Sequence, residues 1–333
     1  METSKLQQEL FQVIKTNIPG HLSATEEIAK VLGVSVDSVY RRMRGEKTIS
    51  LDELHTLCSH YKISLDQLMN IQTGAFTFQG NFLNEKIFRF DAYLKSMVSN
   101  LSSLKNFKEI EFYWLCKDVP VFNHFHFREI AAFKYFFWTK TLYHFAEFDH
   151  QTFTFDAYSD ELNTIGENIL SLYNSIPSTE LWNVENINIG LRQIEFYRDS
   201  QMFESDKDVL RLYEAWEKVI EHIEQQAARG YKFKYGDPDR KPLGKYNVYF
   251  NEVILGDNSS IALLDGTKVA YIPHTAINYM MTRDVNFCEN MYDYVQSLMR
   301  RSTLISNVSE KERSKFFRIL RERIARRKDV LNV

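Results

Sequence analysis

From Ser35 the chain runs Ser-Val-Asp-Ser-Val-Tyr-Arg-Arg-Met-Arg-Gly-Glu-Lys-Thr to Thr48. These residue types bind flat polar edges and a polyanion. An arginine fork matches the acceptor pair on a guanine edge, and Ser or Tyr hydroxyls reach bases or phosphates. If 36–44 is a helix with Val36, Val39 and Met43 inward, its period leaves Asp37, Ser38, Tyr40, Arg41 and Arg44 outward. Lys47 and Thr48, in the following loop, are placed for backbone phosphate, and phosphate contacts position a protein without reading sequence. Asp37 can cap the helix or accept from a cytosine amine. The candidate contact set is therefore Ser35, Asp37, Ser38, Tyr40, Arg41, Arg44, Lys47 and Thr48. Residues 36–48 hold four basic and two acidic side chains, a modestly positive surface. The same pattern also suits a small helical bundle whose arginines are merely solvated.

Elements that would hold this helix are visible on both sides. Ser23-Ala-Thr-Glu26, Ser50-Leu-Asp-Glu53 and Ser64-Leu-Asp-Gln67 are capping boxes, and Ser35 precedes the helix itself. In each box a hydroxyl caps a free backbone N–H while the Glu or Gln reaches back to the cap residue. Small Ala29 permits close helix approach, and Gly33 supplies the left-handed conformation of a tight turn. Val34 and Val39 would fill the core beneath that turn.

With Tyr40-Arg-Arg-Met-Arg-Gly-Glu-Lys47 and Ile63-Ser-Leu-Asp-Gln-Leu68, residues 36–68 resemble the Xre/Cro–repressor superfamily of bacterial helix-turn-helix regulators. The Arg44-Gly-Glu-Lys47 run leading to Ile49-Ser-Leu-Asp-Glu-Leu54 is similar to that family's third-to-fourth helix junction. More narrowly, the chain resembles long, largely uncharacterised regulators of Bacteroidetes-type bacteria with this domain in front. The resemblance covers about a fifth of the chain and implies a lambda-repressor-like bundle whose helix enters the major groove of double-stranded DNA. Thr25 stands where the superfamily commonly has a phosphate-anchoring Gln, so that contact is not expected here. The stretch around Asp118-Val-Pro-Val-Phe-Asn-His-Phe-His-Phe127 also resembles that group but implies no ligand.

The expected architecture is mainly α. It has an HTH DNA-binding domain over 1–71, a linker over 72–81, a helical-hairpin domain for effector binding or oligomerisation over 82–229, and a small α+β module over 230–333. In the helical region Pro177-Ser178-Thr179 reads as a helix start and Gly230 as a stop. In the last module, strands at 246–255, 261–264 and 268–272, with an Asp265-Gly266 hairpin turn, predict a three-stranded antiparallel meander. Helices at 274–281, 286–300 and 309–328 would follow.

Residues 76–158 include 24 of Phe, Tyr or Trp in 83, which serves either a large-residue core or a pocket for a flat effector. His124 and His126 lack ligands at metal spacing, and Cys58, Cys116 and Cys288 form no paired motif, so no metal and no cofactor are expected. Residues 311–328 carry nine basic and two acidic side chains beside an apolar stripe of Phe316, Phe317, Ile319, Leu320 and Ile324. That helix is a packed solvated helix, an extra phosphate-binding element or a membrane-surface helix.

Without a Gly-rich phosphate loop, HExxH or GxSxG, no catalytic residues and no enzyme are expected. The most apolar run, 130–145, is broken by Lys134, Lys140 and His144, which excludes a membrane span. A cytoplasmic location is expected. With a net charge of −3, any DNA affinity must come from a local surface. The reading is a sequence-specific transcriptional regulator of double-stranded DNA. It would be a homodimer responding to a small-molecule or peptide effector. The alternative is an interaction scaffold whose front domain docks a protein or peptide.

Overall fold

A computed structural model describes residues 2–18, 22–69, 76–80, 89–253 and 257–332. Two compact units divide the chain, Met1–Thr77 and Phe78–Val333. Half of the expected linker at 72–81 lies outside the described residues, as does the strand end at 254–255, while the linker's described part places Gln79 in an antiparallel bridge with Met281.

The first unit is five helices: α1 (Glu2–Asn17), α2 (Ala24–Leu32), α3 (Val36–Met43), α4 (Leu51–Tyr61) and α5 (Leu65–Met69). Its core joins Leu10, Phe11 and Ile14 of α1 to Ile28 and Ala29 of α2, Val39 of α3 and Leu57 of α4. Gly33 ends α2 at φ 65°, and Val34 N–H donates to Ala29 O at 3.1 Å, closing the turn into α3. Ser35 caps α3 by accepting from Ser38 N–H, and Ser50 and Glu53 form a reciprocal capping box on α4. The box at Ser23 does not form. Its hydroxyl meets Thr25 Oγ1 at 3.0 Å instead, and Thr25 is buried.

The second unit overturns the mainly-α expectation, with its helical-hairpin middle and separate meander. It is built on one seven-stranded mixed sheet in the order β6-β5-β4-β1-β2-β3-β7. The strands are β1 (Ile110–Leu115), β2 (Ser178–Trp182), β3 (Tyr246–Phe250), β4 (Ser259–Leu264), β5 (Thr267–Pro273), β6 (Tyr279–Thr282) and β7 (Thr303–Leu304). The central strands β1, β2 and β3 run parallel. Parallel neighbours need long crossovers, and these are the helices of the middle region. Helix α6 (Phe90–Ser103) precedes β1, helices α7 (Arg128–Phe137) and α8 (Asp160–Ser175) link β1 to β2, and α9 (Asn188–Asp199) and α10 (Asp206–Arg229) link β2 to β3.

The expected meander fails because its first strand has other neighbours. β3 pairs with β2 and β7, while β4 pairs with β1 along Ile110–Leu115. Only the β4–β5 hairpin forms as expected, with Asp265 and Gly266 both at positive φ. The helix expected at 274–281 is replaced by β6, and the helix start at Pro177 is the lead into β2.

Side chains alternate across this sheet. Phe112, Trp182, Tyr246, Val248 and Phe250 join the large core beneath the crossover helices. Tyr113, Leu115, Leu181, Ile261 and Ala270 pack on the opposite face against Cys288, Met291 and Val295 of α11 (Val285–Arg300). Most aromatics of 76–158 lie in the large core or pack against it, so burial explains their density.

The basic helix α12 (Glu310–Asp329) buries Phe316, Phe317, Leu320 and Ile324 completely. Its cations face acidic partners. Arg321 pairs with Glu224, Arg323 with Glu185 at 2.5 Å, Arg327 with Glu195 at 2.8 Å and Lys328 with Glu217 at 2.8 Å. Four of the charges that made this helix look like a polyanion binder are thus matched within the fold. Among the described residues no helix is long and apolar enough to cross a membrane.

Candidate nucleic-acid interface

The orientation of α3 is set by a residue that periodicity leaves unassigned. Arg42 is 2 % exposed, whereas Val36, expected inward, is exposed. The buried stripe of α3 is Val39 and Arg42, with Met43 half-buried beside them. Arg42 Nη2 donates to Glu53 Oε1 at 2.5 Å, and its Nε donates to Glu53 Oε2 at 3.2 Å. Its Nη1 donates to Ser38 O at 3.0 Å and also engages the Ser38 hydroxyl. Glu53 is at once the capping-box acid of α4, accepting from Ser50 N–H at 3.1 Å. One carboxylate therefore ties the α4 N-terminus to the inner face of α3. The hydrogen bond from Arg42 holds the Glu53 carboxyl below its usual range, so the pair is ionised at neutral pH.

A second brace comes from α1. The Gln7 amide donates to Arg42 O at 2.7 Å and Lys47 O at 2.8 Å, and its carbonyl oxygen accepts from Ile49 N–H at 3.0 Å. One buried side chain thereby satisfies three backbone groups, one at the end of α3 and two in the loop to α4, which would otherwise be costly to bury. Gly45, at φ 79°, lets that loop turn sharply, and Glu46 N–H donates to Arg41 O at 2.9 Å.

Within this frame Tyr40, Arg41 and Arg44 project outward, with Tyr40 48 % exposed. Asp37 is exposed in the first turn of α3, and Ser35, Lys47 and Thr48 are exposed at its two ends. Ser38 differs from the rest. It is half-buried, and its hydroxyl is engaged by Arg42, so it braces the helix. Glu46, absent from the sequence-derived set, lies between the two outward arginines. Its carboxylate is 2.8 Å from Arg44 Nε and 3.8 Å from Arg41 Nε. Such exposed pairs are worth roughly 0–1 kcal/mol, so a phosphate or base edge can displace the carboxylate. The signal that could have located Arg42 is its i,i+3 spacing from Val39, with a box glutamate eleven residues on.

A family model described as "BetR domain" matches residues 7–93, covering these helices and running into the second unit. It supports an N-terminal domain of that kind without extending to the Xre/Cro superfamily in particular. No curated protein and no solved structure matches the chain.

Proposed function

We propose that this protein is a sequence-specific, dimeric DNA-binding transcriptional regulator of the Xre/Cro type, reading a major groove with α3. The observation that carries the proposal is the pairing of a tight α2–Gly33–α3 turn with an α3 locked from within by Arg42–Glu53. That lock leaves Tyr40, Arg41 and Arg44 outward on a rigid element. Arg41 and Arg44 act as the base-reading forks. Ser35, Asp37, Tyr40, Lys47 and Thr48 contribute contacts at the edges, and Ser38 acts through Arg42. A single short helix spans few base pairs, so two copies on half-sites about one DNA turn apart supply the affinity. The proposal places the regulator in the cytoplasm and assigns it no catalytic role.

The test is selection of binding sites from randomised duplex DNA by the full-length protein, beside an Arg41→Ala/Arg44→Ala variant. A two-fold symmetric motif that the variant loses is the expected result. A motif retained by the variant overturns the assignment of α3. Absence of any motif, with a partner protein still captured, favours the docking-scaffold reading; the 83 % exposed Leu51 at the start of α4 is the feature that would serve it.

A further inference from the structure

The second unit contains a cavity of about 400 Å3 off the carboxyl end of β1. The segments after β1, before β4 and after β5 converge there, with α7 and α9 closing it. Its size falls among small-molecule sites, which run from about 300 to 1,000 Å3. Trp114, Trp138 and Tyr279 give it flat apolar walls. Trp138 begins a single π-helical turn that continues α7, a local irregularity common at functional sites.

The polar groups in this cavity are poorly matched to one another. Lys134, 2 % exposed, is 3.7 Å from Asp118 Oδ2, a loose ion pair for two groups out of water, and its Nζ donates to Gln193 Oε1 at 2.9 Å. Burial pushes the Lys134 ammonium down and the Asp118 carboxyl up from their usual ranges. His124 is 3 % exposed, and neither of its ring nitrogens has a hydrogen-bond partner among the described residues. Leaving a buried polar group unmatched is costly, so a ligand that satisfies it is favoured. Charge is balanced within the cavity, since Lys117 and Asp257 also line it and pair at 3.0 Å. An anionic nucleotide would meet two carboxylates here, and a cation two lysines. A ligand carrying both charges meets neither problem.

We infer that this cavity binds a zwitterionic aromatic α-amino acid whose ring has a hydrogen-bonding edge, the class of L-tryptophan and L-tyrosine. Its carboxylate sits at Lys134 Nζ and its ammonium at Asp118, closing a square of alternating charge. The ring lies against Trp138 and Trp114, and its N–H or O–H meets His124. The inference concerns the second unit alone and is read by binding, so it stands or falls apart from the DNA proposal.

Calorimetric titration of the full-length protein with L-tryptophan and L-tyrosine tests it, with tryptamine and indole-3-propionate as probes lacking one charge each. Saturable binding of at least one amino acid is expected, with tryptamine and indole-3-propionate at least about tenfold weaker. Lys134→Met should weaken binding by a similar factor. Should that variant fail to fold, Ala276→Trp places a large ring at an exposed lining position and should abolish binding without touching the core. No heat from either amino acid up to about 5 mM overturns the inference. So does equal binding of a singly charged probe, or unchanged binding by a folded Ala276→Trp.

Discussion

Arg42 and Glu53 join α3 to α4 through two hydrogen bonds to a single carboxylate, and the arginine is buried while the glutamate keeps contact with water. Breaking one side of a buried pair leaves an uncompensated charge, whereas replacing both partners with apolar groups is often near neutral. Because Glu53 still reaches water, Arg42→Met should destabilise the first unit by about 1.5–3 kcal/mol, the range for lost hydrogen bonds to a charged group. Arg42→Met/Glu53→Leu should recover much of that loss. Urea unfolding followed by helical circular dichroism measures both. Equal losses in the single and double variants would show that the pair does not hold α3.

The turn between α2 and α3 has space but not conformational freedom. A Cβ at Gly33 would meet nothing within 4 Å, yet its φ of 65° is left-handed. Gly33→Val should cost about 1–2 kcal/mol from backbone strain. Gly33→Asn, which tolerates this region, should cost clearly less. Thermal midpoints of the two variants make the comparison.

If α3 reads DNA, Glu46 competes with the nucleic acid for Arg41 and Arg44. Glu46→Gln should then tighten operator binding by up to about fivefold, the factor that corresponds to an exposed pair worth under about 1 kcal/mol. Lys47→Ala should lower the slope of log affinity against log salt by about one. Fluorescence anisotropy on the selected site, across a salt series, reads both effects.

Acid should weaken the second unit before carboxylates protonate. Burial pushes His222 down to about 4, against about 6.5 in an unfolded chain, and His124 and His126 are also pushed down. Between those values the unfolded state takes up protons that the native state does not. Stability contributed by neutral His222 is therefore complete above pH 6.5, falls as pH drops through that value, and levels off below about 4. At pH 5 the loss from His222 alone should be about 2 kcal/mol. Urea midpoints at pH 7 and pH 5 should differ accordingly, and His222→Gln should narrow the gap.

Gly190 in α9 sets helix propensity against packing. Alanine would gain about 1 kcal/mol as a better helix former, but its Cβ would lie 2.7 Å from Cζ2 of Trp216, which is fully buried. Overpacking of a rigid core costs about 1–3 kcal/mol, so Gly190→Ala should be net destabilising. A raised thermal midpoint would show that Trp216 has room to yield.

Legibility in the sequence followed the range of the forces. The first unit could be read because its signals are local: Ser35 and Ser50 cap the helices beside them, and Gly33 turns the chain where it stands. The central strands could not. All five residues of β2 are buried, so the strand shows no alternation, and its sequence resembles a helix start. β6 was missed for a related reason, since its identity depends on pairing with β5 and not on its own four residues.

The outward placement of Tyr40, Arg41 and Arg44 was legible from residue types and spacing, but the inward turn of Arg42 and the bracing role of Ser38 were not. Inward Arg42 and exposed Val36 invert a hydrophobicity rule, because a charge can be buried where a carboxylate meets it. Residue types likewise did not reveal that α12 spends four of its cations on acids elsewhere in the fold. Glu185 lies 138 positions before its partner Arg323.

By itself, then, the sequence determined what acts within a turn or two: the caps at Ser35 and Ser50, the left-handed glycine, the hairpin at Asp265-Gly266 and the helices expected at 286–300 and 309–328. Tertiary structure alone decided the seven-strand order, the rotation of α3 and the gathering of Asp118, His124, Lys134 and Gln193 around one cavity. Those outcomes depend on groups brought together from distant positions, whose pairing is chosen by burial and charge and leaves no local pattern to read.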